Sequence, residues 1–296
     1  MSEKLIKSIA GTALILLSAL CYAWMPVIAK VTYSTGLAPF EVLILRFIFS
    51  LLLLALLLSI KGIMFFKFSP LLLLQGLAFT AGGICFFYSL TYIKAALAIV
   101  IFFSHPAIIS VMSIIFLKRK PSMVLLFSVF ISFLGIIFIS GASKIEVNNI
   151  TGISLAALSS FSYSIYCIIS ERTLKSYNSL SVAFTMSLVG LIVISVLFHN
   201  RLNFLTSLSL KQVELVFLMS LFSTVLAILL FLEGVKRIGS LRASVVGTAE
   251  PVFVVLIAFV VLGEKLSFPE IAGSLLVLSG VLISSFHGFF KREDLL

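Results

Sequence analysis

A chain of 296 residues that is 61% hydrophobic and 11% charged, with a mean hydropathy of +1.27, excludes an ordinary soluble protein, because so few charges cannot cover so much apolar surface. The formal net charge of +10 invites a nucleic-acid reading, but Lys and Arg occur one to three at a time between apolar runs, not over one face of a polar domain. Composition therefore points to an all-α polytopic membrane protein, with the lipid bilayer as partner and no nucleic acid.

A membrane span needs about 20 mostly apolar residues, and ten segments qualify in chain order. They run at about 9–29, 40–60, 70–92, 95–117 and 122–140 in the first half. In the second half they run at about 150–170, 180–198, 213–232, 241–262 and 269–286. Connections are short, so consecutive spans are antiparallel neighbours. Lys4 and Lys7 before the first apolar run look like a signal peptide, but the uncharged stretch from Ser8 to Ala29 is 22 residues. That is long for an h-region, so it reads as a retained helix.

The positive-inside rule sets the orientation. With the N-terminus in the cytoplasm, the inner segments carry 14 basic residues: Lys4, Lys7, Lys61, Lys67, Lys118, Arg119, Lys120, Arg172, Lys175, Lys236, Arg237, Arg242, Lys291 and Arg292. The outer segments carry 6: Lys30, Lys94, Lys144, Arg201, Lys211 and Lys265. This bias expects an even number of spans, with both termini cytoplasmic.

The two halves repeat. A shift of 145 residues lays Pro106 on Pro251, Leu117 on Leu262, Lys120 on Lys265, Gly135 on Gly280 and His105 on Glu250. Each half holds five spans, an odd number, so the second lies upside down relative to the first. The expected architecture is ten transmembrane helices as two inverted five-helix repeats, 1–143 and 144–296. Inverted repeats are a common plan in secondary transporters, whose binding site lies near the midplane where helices are interrupted. Pro106 and Pro251 lie near mid-span, where a missing N–H bends a helix. Pro26 is expected to interrupt the end of span 1.

Ionisable groups inside spans are costly and face a cavity or a partner. Glu250 sits in the middle of span 9, where it is placed to bind a substrate amine or to carry a coupled proton. The alternative is a carboxylate packed against an Arg or a backbone gap at Pro251. His105, its repeat-mate, either exchanges protons or satisfies carbonyls freed by Pro106. Arg46, the cation well inside a span, either snorkels, pairs with Glu41, or meets an anionic substrate.

Aromatics supply further candidates. Tyr22 and Trp24 lie in span 1, Tyr88 and Tyr92 in span 3, and Tyr163 and Tyr166 in span 6. The spacing of the last two pairs puts each on one helical face, which is expected to point inward because a hydroxyl in lipid needs a partner. Tyr92 could equally anchor the interface, and Tyr163 and Tyr166 could equally pack between helices or line the cavity. Ser159, Ser160, Ser162 and Ser164 in span 6, and Ser240, Ser244, Gly247 and Thr248 in span 9, read as close-packing stripes. Gly82 and Gly83 read the same way, with a hinge as the alternative. Glu233 is either a gate or a solvated end residue, and His199 and His287 sit near span ends. Cys21, Cys85 and Cys167 have no metal spacing, and no Gly-rich loop ends in Gly-Lys-Ser/Thr. No metal, cofactor or ATP-driven cycle is expected.

The segment EPVFVVLIAFVVLGEKLSFPEIAGSLLVLSGVLIS, from Glu250 to Ser284, resembles the closing part of an EamA domain of the drug/metabolite transporter superfamily. The likeness rests on Pro251, the Gly263–Glu264 pair, Gly273 and Gly280. The first half keeps Pro106 and Gly135, with Lys118–Arg119–Lys120 where the second half has Gly-Glu-Lys. Trp24, Pro39 and Arg46 fit the start. The resemblance implies a ten-helix carrier with a central cavity, moving small metabolites across the bacterial inner membrane, often outward. The expected assembly is a monomer or homodimer.

The expected function is secondary transport of a small metabolite such as an amino acid, not enzyme catalysis. The rivals are uptake of a nucleoside-like or sulfonium metabolite, an intramembrane enzyme, and a lipid flippase or scaffold. The enzyme would need convergent catalytic groups beyond His105 and Glu250. The flippase would need a lipid-open polar groove.

Overall fold

The computed structural model describes residues 3–63, 69–89, 92–93, 95–118, 121–140, 149–262 and 267–290. Gly263, Glu264, Lys120 and Lys265 lie outside the described residues. Where described, the chain is a bundle of apolar helices without strands. The first repeat holds α1 (Glu3–Tyr33), α2 (Pro39–Ile60), α3 (Pro70–Ser89), α4 (Ala95–Phe102), α5 (His105–Phe116) and α6 (Met123–Ile139). The second holds α7 (Ile150–Thr173), α8 (Ser179–Leu197), α9 (Leu210–Ser220), α10 (Ala227–Ile238), α11 (Ser240–Gly247), α12 (Glu250–Leu262) and α13 (Phe268–Phe290). Among the described residues 9 helical stretches are long and apolar enough to cross a membrane, and α6 is a shorter tenth. Helices α4 and α5 form span 4, α9 and α10 form span 8, and α11 and α12 form span 9.

Local chemistry explains where helices start. Asn149 Oδ1 accepts the Gly152 N–H at 3.2 Å, and Asn178 Oδ1 accepts the Ser181 N–H at 2.7 Å. Each cap satisfies a donor that the first helical turn leaves open. Glu41 caps α2, accepting the Ala38 N–H at 2.8 Å. The expected interruption at Pro26 is absent: α1 runs unbroken from Glu3 to Tyr33. Span 8 supports it there. Its π turn, Leu221–Leu226, brings Ser223 Oγ to the Cys21 carbonyl at 2.9 Å, one residue from the carbonyl that Pro26 leaves without its N–H.

Interhelical pairing follows the repeat. The helix α1 packs along α10, and α7 packs along α3. Exchanging the halves turns one pair into the other. The pairs α2 with α8 and α6 with α13 each map onto themselves. Ser18 Oγ donates to the Ala227 carbonyl at 2.7 Å, and Ser159 Oγ donates to the Gly82 carbonyl at 2.7 Å. Residues 82 and 227 are repeat-mates, so each half receives a serine from the first helix of the other.

Spans 5 and 10 approach so closely that side chains are excluded. A Cβ on Gly135 would lie 2.6 Å from the Gly273 carbonyl oxygen, and one on Gly280 would lie 2.8 Å from the Ser128 carbonyl oxygen. Residues 128 and 135 are the repeat-mates of 273 and 280, so the two contacts are one contact seen twice. Two odd-numbered units joined this way are antiparallel in the membrane. The fold is that of a ten-span inverted repeat.

Candidate functional site

Spans 4 and 9 break at equivalent places. Span 4 leaves the helix at residues 103–104 and restarts at His105. Span 9 leaves it at 248–249 and restarts at Glu250. Pro106 and Pro251 therefore occupy the second position of α5 and α12. A proline is tolerated there, because the first-turn N–H groups have no intrahelical acceptor anyway. Small side chains cover part of the gap: Ser104 Oγ donates to the Ile101 carbonyl at 2.7 Å, and Thr248 Oγ1 donates to the Val245 carbonyl at 2.6 Å.

Both breaks face a central cavity of about 490 Å³ lined by both repeats. Its walls are mostly aromatic and aliphatic, including Phe79, Phe86, Phe87, Phe102 and Phe103. The polar groups on it include Tyr22, Arg46, His105, Tyr163 and Glu250. The lining runs from mid-bundle to the end where α1 finishes and α2 begins. The opposite end is closed by packed core residues such as Leu58, Met112, Leu174, Met186, Val235 and Ile238. Polar contacts reinforce that closure. Glu171 Oε2 accepts from the Ser240 N–H at 2.8 Å and from Ser240 Oγ at 2.7 Å. Glu233 Oε1, left open between gate and solvated end by the sequence, accepts from Ser179 Oγ at 2.6 Å.

His105 is 3% exposed. Its Nδ1 lies 3.0 Å from the Phe102 carbonyl oxygen, which is the carbonyl that Pro106 cannot serve. The Nδ1–H tautomer satisfies it, leaving Nε2 as the remaining polar atom. Its ring meets Tyr163 with centroids 4.8 Å apart. Ser164 Oγ donates to the His105 carbonyl at 3.4 Å, and Ser160 Oγ lies 3.0 Å from Ser104 Oγ. The serines of span 6 thus tie spans 3 and 4 to it, as a packing stripe should. Glu250 makes no side-chain hydrogen bond with another described residue and faces the cavity.

Three sequence candidates, Trp24, Tyr88 and Tyr166, lie off the cavity wall. Trp24 is 37% exposed and Tyr88 44% exposed, and neither lines the cavity. Ser18, Tyr22 and Met25 form the cavity face of α1, and a residue two positions from Tyr22 points to another side of the helix. The helix α3 ends at Ser89, so Tyr92 lies beyond it in a turn and shares no helical face with Tyr88; Tyr92 is 48% exposed. Both sit at the end of span 3, where amphipathic rings suit the interface. Tyr166 is buried at 1% behind the wall, stacked on Phe231 with centroids 5.9 Å apart, and Tyr163 alone of that pair reaches the cavity. Arg46 does not pair with Glu41, which is engaged at its own cap. The phenylalanine walls carried no signal, because 29 Phe are spread over the chain.

A membrane-embedded inverted repeat with interrupted helices around a midplane cavity defines the class of membrane carriers. Comparison with known proteins narrows this. The profile of the EamA-like transporter family matches residues 9–141 and 150–286, and the chain belongs to that family. An uncharacterized transporter of Clostridium kluyveri is 22% identical over 96% of this chain and 96% of its own. The uncharacterized inner membrane transporter YicL of Salmonella typhimurium is 29% identical over 65% of this chain and 64% of its own. One solved crystal structure shares the fold, with a TM-score of 0.80 at 16% identity, over 94% of this chain and 98% of that one. The protein is an integral membrane transporter.

Proposed function

We propose that this transporter moves small metabolites such as amino acids by alternating access, without ATP, and outward across the bacterial cytoplasmic membrane. Glu250 is the principal cargo contact, and His105, Tyr22 and Tyr163 shape the pocket around it. The observation that carries this reading is a carboxylate in the first turn of a half-helix, facing a cavity between two repeats with no hydrogen-bonding partner among the described residues. A carboxylate at that depth is sustained by a solvated chamber and by the cations that enter it. The Lys and Arg distribution supports both termini in the cytoplasm; the cavity end is then the external one and the Glu171–Ser240 end the cytoplasmic one.

Alternating access then means rocking one repeat against the other about the breaks in spans 4 and 9. The cytoplasmic contacts open as the external half closes. Counterflow in proteoliposomes with a metabolite panel tests the reading. Wild type should exchange at least one member of the panel, and Glu250→Gln should lower that exchange roughly ten- to hundred-fold. Flux equal to that of empty liposomes across the panel would sink it. Everted vesicles report direction. An imposed pH gradient that leaves flux unchanged removes proton coupling through Glu250.

A further inference from the structure

Arg46 has no role in the reading above, yet it is the one Lys or Arg among the described residues that line the cavity. It is 6% exposed. Its Nη1 donates to Met25 Sδ at 3.2 Å, its guanidinium carbon lies 5.7 Å from the Phe47 ring centre, and its Nε has no hydrogen-bond partner among the described residues. A guanidinium offers five N–H donors in a planar fork, and a thioether and a ring face occupy few of them. A buried cation left without an anion is costly.

The scaffold does not demand a cation at this position, since Leu191 is the repeat-mate of Arg46. The nearest acid in sequence, Glu41, is spent on the Ala38 N–H. Among the described residues lining the cavity, the one acid is Glu250, contributed by the other repeat. Tyr22 lines the same cavity as both charges. The cavity thus has one positive and one negative pole, set in apolar walls.

We infer that Arg46 binds the anionic group of the cargo, a carboxylate held by the guanidinium fork, while Glu250 holds its cationic group. The site then selects small zwitterions with an apolar body over molecules carrying either charge alone. This deepens the transport reading and rests on it for the word cargo.

The test uses full-length protein in lipid nanodiscs, titrated with phenylalanine, phenethylamine and 3-phenylpropionate. These probes share one apolar body and carry both charges, the cation alone and the anion alone. Wild type should prefer phenylalanine at least ten-fold over each of the others. In Arg46→Gln the preference for phenylalanine over phenethylamine should fall to within two-fold, and 3-phenylpropionate binding should be lost. Arg46→Lys should keep part of the preference, which separates loss of charge from loss of fold. Equal wild-type affinity for all three probes, no binding of phenylalanine, or an unchanged preference in Arg46→Gln would overturn the inference. Counterflow separates the two readings. Flux confined to singly charged metabolites refutes the bipolar site and spares transport. Arg46-dependent phenylalanine binding without any flux does the reverse.

Discussion

Span 4 and span 9 suffer the same backbone defect and resolve it differently. Each breaks one residue before an X-Pro pair, at 103–104 and at 248–249. In span 4 the side chain at the break is an imidazole, and it uses Nδ1 to satisfy the Phe102 carbonyl. In span 9 it is a carboxylate, which in its charged form has no proton to give a carbonyl and turns to the cavity. Two copies of one unit use the position differently: His105 meets the Phe102 carbonyl, and Glu250 faces the cavity. The repeat keeps the backbone symmetric while the chemistry of the site is not.

The largest effect should come from Glu250→Gln. A hydrogen bond to a charged group is worth about 1.5–3 kcal/mol, so counterflow or binding should fall roughly ten- to hundred-fold, with the unfolding midpoint close to wild type. A variant that unfolds early but transports normally would reverse the assignment.

His105→Leu should show the opposite balance. It strips the Phe102 carbonyl of its donor and should cost about 1–3 kcal/mol of stability, read by denaturant titration of the purified protein. His105→Asn, which keeps a donor near the Nδ1 position, should recover most of it. Flux that collapses at unchanged stability would instead make His105 an equal partner of Glu250.

Pro106→Ala sharpens this point. Alanine restores the N–H that the Phe102 carbonyl lost. In that background His105→Leu should cost less than about 1 kcal/mol, and the double-mutant cycle should show coupling. Additive effects would separate His105 from the proline gap. The smallest changes should come from Ser104→Ala and Thr248→Ala. Each removes one back-bond to its own helix, worth about 0.5–1.5 kcal/mol. Similar losses at both sites would confirm that the breaks themselves are equivalent.

Much of the site was legible as position and little of it as direction. Glu250, His105 and Arg46 announced themselves because ionisable groups are rare in apolar helices. Trp24 and Tyr88 were placed inside because an amphipathic ring in a membrane helix suits a cavity and an interface alike. The span 6 serines were legible as a packing stripe, but the carbonyl of Gly82, the hydroxyl of Ser104 and the carbonyl of His105 as their partners were not.

The sequence by itself determined the ten spans, the duplication and the two proline breaks. Each follows from local physics: the apolar length needed to cross a bilayer, the odd number of spans per copy, and the missing proline N–H. Only the tertiary structure decided which face of each helix looks inward, that Arg46 shares a cavity with Glu250, and that His105 serves a carbonyl. A helix apolar on nearly every side has no polar stripe to orient it, so its rotation is fixed by close contacts such as Gly135 against Gly273, made between residues far apart in the chain.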